Sequence, residues 1–186
     1  MGERNTFEAD FEFTLAILDS FFAQKRIRTA LAKIAETEVS GWEKWWQIEL
    51  ALFLSEHEDV AEWNMEEPFF IDRRHRTPQD SLAIDLCFRR KGQSSEKFIF
   101  LELKQDQDWK RCIANMMMDA DKVSSAQTKS LLGAKIRSFF LAGIYFRMPK
   151  ADIHDYIEEE AEYRQVEWEI VESRFIADTP FSFTLL

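Results

Sequence analysis

Residues 136–148, a nearly continuous apolar run, constrain this chain more than any other segment. The run is shorter than the roughly 18 apolar residues a membrane span requires, and it reads as a strand covered on both faces. A strand of that kind sits inside a sheet with structure layered on either side, which points to an α/β architecture with a mixed sheet. Residues 81–90 alternate, with Leu82, Ile84, Leu86 and Phe88 on one side and Ala83, Asp85, Cys87 and Arg89 on the other. Residues 97–104 read as a second strand across a turn containing Gly92, residues 60–71 are β-rich, and 166–170 and the tail 181–185 supply further strand candidates.

Elsewhere the spacing is helical. Asn5 and Glu8 have the form of a capping box, followed by Phe7, Phe11, Leu15, Leu18 and Phe22 at near-helical intervals. Ile27, Leu31 and Ile34 continue a second helix as far as Glu38, so residues 1–39 read as an N-terminal helical hairpin. Ser40 and Glu43 form another capping box, opening a helix with Trp42, Trp45, Trp46, Leu52 and Phe53 on its apolar face. Glu49 lies in the middle of that stripe, where a carboxylate needs a partner because isolated buried charge costs several kcal/mol. Trp109, Cys112, Ile113, Met116 and Ala120 mark a helix from Asp108 onward, and Pro149 opens a last one. The whole reads as a single domain, 1–186, with a core over 40–148 and a C-terminal helix and strands over 149–186.

Composition narrows the class of protein. With 46% hydrophobic and 14% aromatic residues, the chain has the apolar surface to offset its ordering entropy. Cys87 and Cys112 fall on a strand and a helix, so no disulfide framework is expected, and the absence of a secretory pattern favours a soluble protein of the cytoplasm with no membrane association. The net charge of −10 works against nucleic-acid binding, which draws on Lys and Arg to neutralise phosphates. Arg73, Arg74 and Arg76, together with Arg89, Arg90 and Lys91, are the cations expected to form a locally basic, nucleic-acid-binding surface.

The chemistry gathers on the two central strands. A hairpin with Arg90 opposite Lys97 brings Asp85 opposite Glu102, so two carboxylates share one face. With Cβ atoms about 5 Å apart they repel by roughly 3 kcal/mol at an effective dielectric of 20. A divalent cation held by both would relieve this, and Mg²⁺ prefers such hard oxygen ligands while keeping positions open for phosphate and water. Lys104 shares the face one step away; Gln105 and Asp119 with Lys122 border the same region, although a solvated helix is the simpler reading for the latter pair.

Asp85, sixteen intervening residues, then Glu102-Leu103-Lys104, resembles the signature of the PD-(D/E)xK nuclease-like superfamily, with Ile84 in place of the proline. The resemblance covers about 42–148 and implies a restriction-endonuclease-like core of helix, three strands, helix and strand. It also implies roles. Asp85, Glu102 and the Leu103 carbonyl would bind Mg²⁺ or Mn²⁺, and Lys104 would act on water and the phosphate. Glu49 would match the carboxylate carried on the preceding helix. The implied activity is metal-dependent cleavage of nucleic acid. The alternative is a non-catalytic acidic binding protein on the same fold, such as an immunity or antitoxin protein that neutralises a basic toxin by charge complementarity.

Overall fold

The computed structural model of the protein describes residues 2–70, 81–124, 135–166 and 168–186. Its helices are α1 (Gly2–Ala23), α2 (Lys25–Thr37), α3 (Glu43–Glu56), α4 (Trp109–Ser124) and α5 (Lys150–Arg164). Its strands are β1 (Val60–Phe70), β2 (Ser81–Arg90), β3 (Lys97–Gln105), β4 (Lys135–Phe146), β5 (Glu172–Phe175) and β6 (Phe181–Leu185). The six strands form one mixed sheet in the order β1-β2-β3-β4-β6-β5, in which only the central pair, β3 and β4, is parallel. The protein is therefore α/β, with helices on both faces of that sheet. Among the described residues no helix is long and apolar enough to cross a membrane.

Strand β4 shows why its sequence is apolar throughout. Phe140, Ala142 and Ile144 point into a large cluster shared with α1, α2 and α3, whereas Leu141 and Tyr145 point into a second cluster under α4 and α5. The first cluster is dense in aromatic rings, with Phe7 and Phe11 against Phe140 and Phe22 against Phe183. This is the stripe expected of α1, and burial at these sites contributes roughly 1.5–3 kcal/mol per large side chain. In the second cluster α4 comes very close to β4 at Gly143. A Cβ there would stand 2.9 Å from Cys112 Sγ and closer still to Met116 Sδ, so any other residue would force these side chains to shift.

Several expectations need correction. Helix α1 already begins at Gly2, so Asn5 and Glu8 lie within it and do not cap it. Helix α3 has Trp42 at its N-cap and no side-chain cap, because an indole offers no acceptor and Ser40 lies two residues before the N-cap; the Glu43 carboxylate is engaged elsewhere. Residues 166–170 form no strand among the described residues. Val166, Trp168 and Val171 pack on the second cluster and Ile170 on the first, and the edge strand forms just after them, at β5. Ile84 packs with Cys87, Phe98 and Phe100 in a small third cluster, apart from Leu86 and Phe88.

Candidate functional site

Strands β2 and β3 pair only over Leu86↔Leu101, Cys87↔Phe100 and Phe88↔Ile99. The next step of this register is Asp85 opposite Glu102, as the hairpin count predicts, and there the ladder stops. Beyond it β2 stays with β1 and β3 stays with β4 as far as Gln105, so the sheet forks. Strand β1 deforms at the same level. Glu66, which falls opposite Asp85, takes a left-handed φ of 54° that is uncommon for a residue with a side chain, and its carboxylate pairs with Lys44.

A fork strands backbone groups that the ladder would have paired, and buried N–H and C=O groups require partners. Side chains provide them here. Leu103 N–H donates to Asp85 Oδ2 at 2.8 Å, and Asp85 N–H donates to Glu102 Oε2 at 3.3 Å. Helix α3 serves two more. Gln47 Nε2 donates to the Asp85 carbonyl at 2.8 Å, and Gln105 N–H donates to Glu43 Oε2 at 2.9 Å. Glu43 and Gln47 are four apart and so lie on one face of the helix, pointed into the fork.

Lys104 is the hub of the charges. Its ammonium lies 3.1 Å from Glu102 Oε1, 3.1 Å from the Leu103 carbonyl and 2.7 Å from Asp119 Oδ2 on α4. The Asp119 side chain is 8% exposed, so it belongs to the site and not to a solvated helix face. Burial raises the pKa of Asp85, against the pull of the Leu103 N–H and Lys104. Burial also raises Glu43, with Lys104 and the Gln105 N–H opposing. Glu102 is pushed up to about 7, first by burial and then by repulsion from Asp85, although Lys104 lowers it. For Lys104 desolvation favours the neutral amine, but Glu102, Asp119 and Glu43 outweigh it and hold the ammonium above its ordinary range. The cluster around Lys104 therefore contains more carboxylates than cations, and Lys104 itself is firmly protonated.

The fork accordingly assembles Asp85, Glu102, the Leu103 carbonyl and Lys104, and it adds Glu43, Gln47 and Asp119. Glu49 does not join them. It pairs with Arg26 of α2, and the α3 carboxylate that reaches the site is Glu43. The sequence misleads here because α3 is apolar nearly all round. Its buried face is Trp46, Gln47, Leu50, Ala51 and Leu54, while Ile48 and Leu52 are exposed. A polar pair at Glu43 and Gln47, one turn apart between tryptophans, is the signal that identifies the other face.

Arg89 and Arg90 also lie away from the cluster, four and five residues along β2 from Asp85 and so roughly 13–17 Å away. Arg89 is bound to Glu62 and the Gln93 carbonyl, and Arg90 lies over the Phe13 ring. Arg73, Arg74 and Arg76 fall outside the described residues.

In donor chemistry the fork suits a hard divalent ion, since every available ligand is an oxygen. In the present arrangement, among the described residues, no group of three or more His, Cys, Asp and Glu side chains is disposed to hold a metal. The Lys104 ammonium instead occupies the space between Glu102 and the Leu103 carbonyl. An open groove of about 490 Å³ leads to the site, lined by Gly41, Glu43, Lys44, Gln105, Asp106 and Arg111. Compared with protein-family models, with curated proteins and with solved structures, the chain matches none.

Proposed function

We propose that this protein is a divalent-metal-dependent phosphodiesterase acting on nucleic acid, of the PD-(D/E)xK type. One observation carries the reading: Asp85 and Glu102 face each other where β2 and β3 part, with Lys104 in contact with Glu102. The element order α3, β1, β2, β3, α4, β4 supports it, being the helix, three strands, helix and strand of a restriction-endonuclease-like core. Asp85, Glu102 and the Leu103 carbonyl would hold Mg²⁺ or Mn²⁺, and Lys104 would move aside toward Asp119 to admit it. The bound ion supplies Lewis-acid polarisation of a phosphoryl oxygen and a water of lowered pKa.

The chain's own groups have separable tasks in this reading. Lys104, held as an ammonium, serves as a donor to developing phosphate charge and not as a base. Asp119 stores that ammonium within reach. Gln47 and Glu43 position the strands by holding the Asp85 carbonyl and the Gln105 N–H. The test is cleavage of single- and double-stranded DNA and RNA with Mg²⁺ or Mn²⁺. Cleavage is expected in the wild type and absent in Asp85→Ala and Glu102→Ala, while Lys104→Ala lowers kcat without weakening metal binding, since it vacates the place the ion would take. Equal cleavage by wild type and Asp85→Ala would sink the reading.

A second reading, an acidic binding protein of the immunity or antitoxin kind, draws on the exposed carboxylates of α5, where Asp152, Asp155, Glu158, Glu159 and Glu162 face solvent. It predicts no cleavage with any divalent ion and an association with a basic protein that slows when these charges are reversed.

A further inference from the structure

Helix α2 is the electrostatic exception in an acidic chain. Lys25, Arg26, Arg28 and Lys33 against Glu36 give it a net charge of +3, whereas the whole protein carries −10. Lys25 and Lys33 are exposed and span about 12 Å along the helix axis. With Arg28 and Thr29 they line an open groove of about 490 Å³, whose acidic members are Glu36 and Asp178. Lys33 is paired with Glu36 and Arg28 with Asp178. Exposed pairs of this kind contribute only about 0–1 kcal/mol, so a phosphate can replace either carboxylate at little cost.

The groove lies at the same end of the sheet as the candidate site. The turn that carries Asp178 is held at the end of β4, where Arg147 N–H donates to the Pro180 carbonyl at 2.9 Å. Phe181 beside that turn packs on Trp42, the residue before Glu43. Glu36 lines the α2 groove and Ser40 lines the groove leading to the site. The two are four residues apart, at most about 14 Å of chain.

We propose that the α2 groove binds the phosphate backbone of a single strand of nucleic acid, on Lys25, Arg28 and Lys33, as that strand leaves the candidate site across Gly41. This inference rests on the nucleic-acid reading of the site. A single strand is the occupant because the groove, at about 490 Å³, has the volume of a small-molecule cleft and not of a duplex, and because Glu36 and Asp178 in its lining limit the positive charge it can offer two backbones. Gly41, at φ 72° with nothing within 4 Å of where a Cβ would stand, leaves the path open.

The experiment is fluorescence anisotropy with a labelled 15-nucleotide oligothymidylate in EDTA, over a series of salt concentrations. It compares wild type with Lys25→Gln/Lys33→Gln and with the triple variant that adds Arg28→Gln. Each lost phosphate contact should reduce the slope of log affinity against log salt by about 0.7, so the triple variant should lose about 2 and the double variant about 1.4. At low salt the triple variant should bind at least about tenfold more weakly. The double variant keeps the Arg28–Asp178 pair and carries the test if the triple variant is unstable. An unchanged slope, no binding by the wild type, or displacement by polyglutamate as readily as by unlabelled strand would each overturn the proposal. Metal-dependent cleavage measured on the same variants separates it from the reading of the site. Cleavage with an unchanged slope removes the groove alone, and a reduced slope without cleavage by any divalent ion removes catalysis alone.

Discussion

At Leu86–Phe88 and Ile99–Leu101, strands β2 and β3 satisfy each other's backbones, and all six side chains are buried. One residue further on, at Asp85 and Glu102, carboxylates and a glutamine take over the backbone hydrogen bonds, and the cluster around them is charged. The two ends share one register and differ in the side chains that flank it. The closed end gains from apolar burial and is specified by shape. The open end holds desolvated charge, which is expensive unless paired, and so it contributes little to stability; in the proposed function it is the end that would receive the metal ion.

The largest expected effect is at the closed end. Leu101→Ala removes a fully buried side chain from the first cluster and should cost about 4 kcal/mol in denaturant unfolding, with the m-value unchanged. At the open end Lys104→Met keeps the length of the side chain but removes the ammonium shared by Glu102 and Asp119. A loss of about 3 kcal/mol is expected at alkaline pH, shrinking as Glu102 takes up a proton. If Lys104→Met were neutral at every pH, the open end would not be a coupled set of charges.

Gly143→Ala tests how the two ends are joined. Gly143 pairs with Lys104 across β3 and β4 and lets α4 approach, which is what brings Asp119 to the ammonium. Overpacking there should cost about 2 kcal/mol and, in the proposed enzyme, lower cleavage as well. A variant of unchanged stability would mean that Met116 gives way freely.

A smaller effect has a distinctive sign. Glu102 has its pKa raised from 4.5 to about 7 on folding, so the folded state binds the proton more tightly than the unfolded chain does. Its contribution to stability is most favourable below about pH 4.5 and is lost as pH rises through about 7, opposite to the usual carboxylate. Asp85→Asn removes the repulsion and should flatten this slope by about 1 kcal/mol over that window. Stability curves at several pH values check it, and an unaltered slope would assign the shift to burial alone. The smallest effect belongs to Glu49→Gln, which disturbs only a partly exposed pair with Arg26. About 0.5 kcal/mol of stability and no change in cleavage are expected, in contrast to Glu43→Gln, which loosens the Gln105 N–H at the mouth of the site.

Most of the elements and the central register were legible in the sequence; the strand expected over 166–170 does not form among the described residues, and β5 forms instead at Glu172–Phe175. Period-2 alternation over β2, the apolar run of β4 and the stripe of α1 are local patterns dictated by burial, and a hairpin turn of set length leaves one register that puts Asp85 opposite Glu102. The need of these carboxylates for positive charge was legible too. How an apolar helix is rotated, and which distant groups arrive, was not. Helix α3 is hydrophobic around most of its surface, so periodicity could not choose between Glu49 and Glu43. Packing against β1 and the phenylalanine rings of α1 chose, by turning Glu43 and Gln47 into the fork. Asp119 reaches Lys104 from a helix packed on β4, where Gly143, far away in sequence, leaves room for the side chains of Cys112 and Met116. The fork itself is a product of tertiary structure, since nothing in β2 or β3 alone says that the ladder ends at Leu86 and Leu101. That end is set where β1 kinks at Glu66 and α3 offers side chains to replace the missing backbone partners.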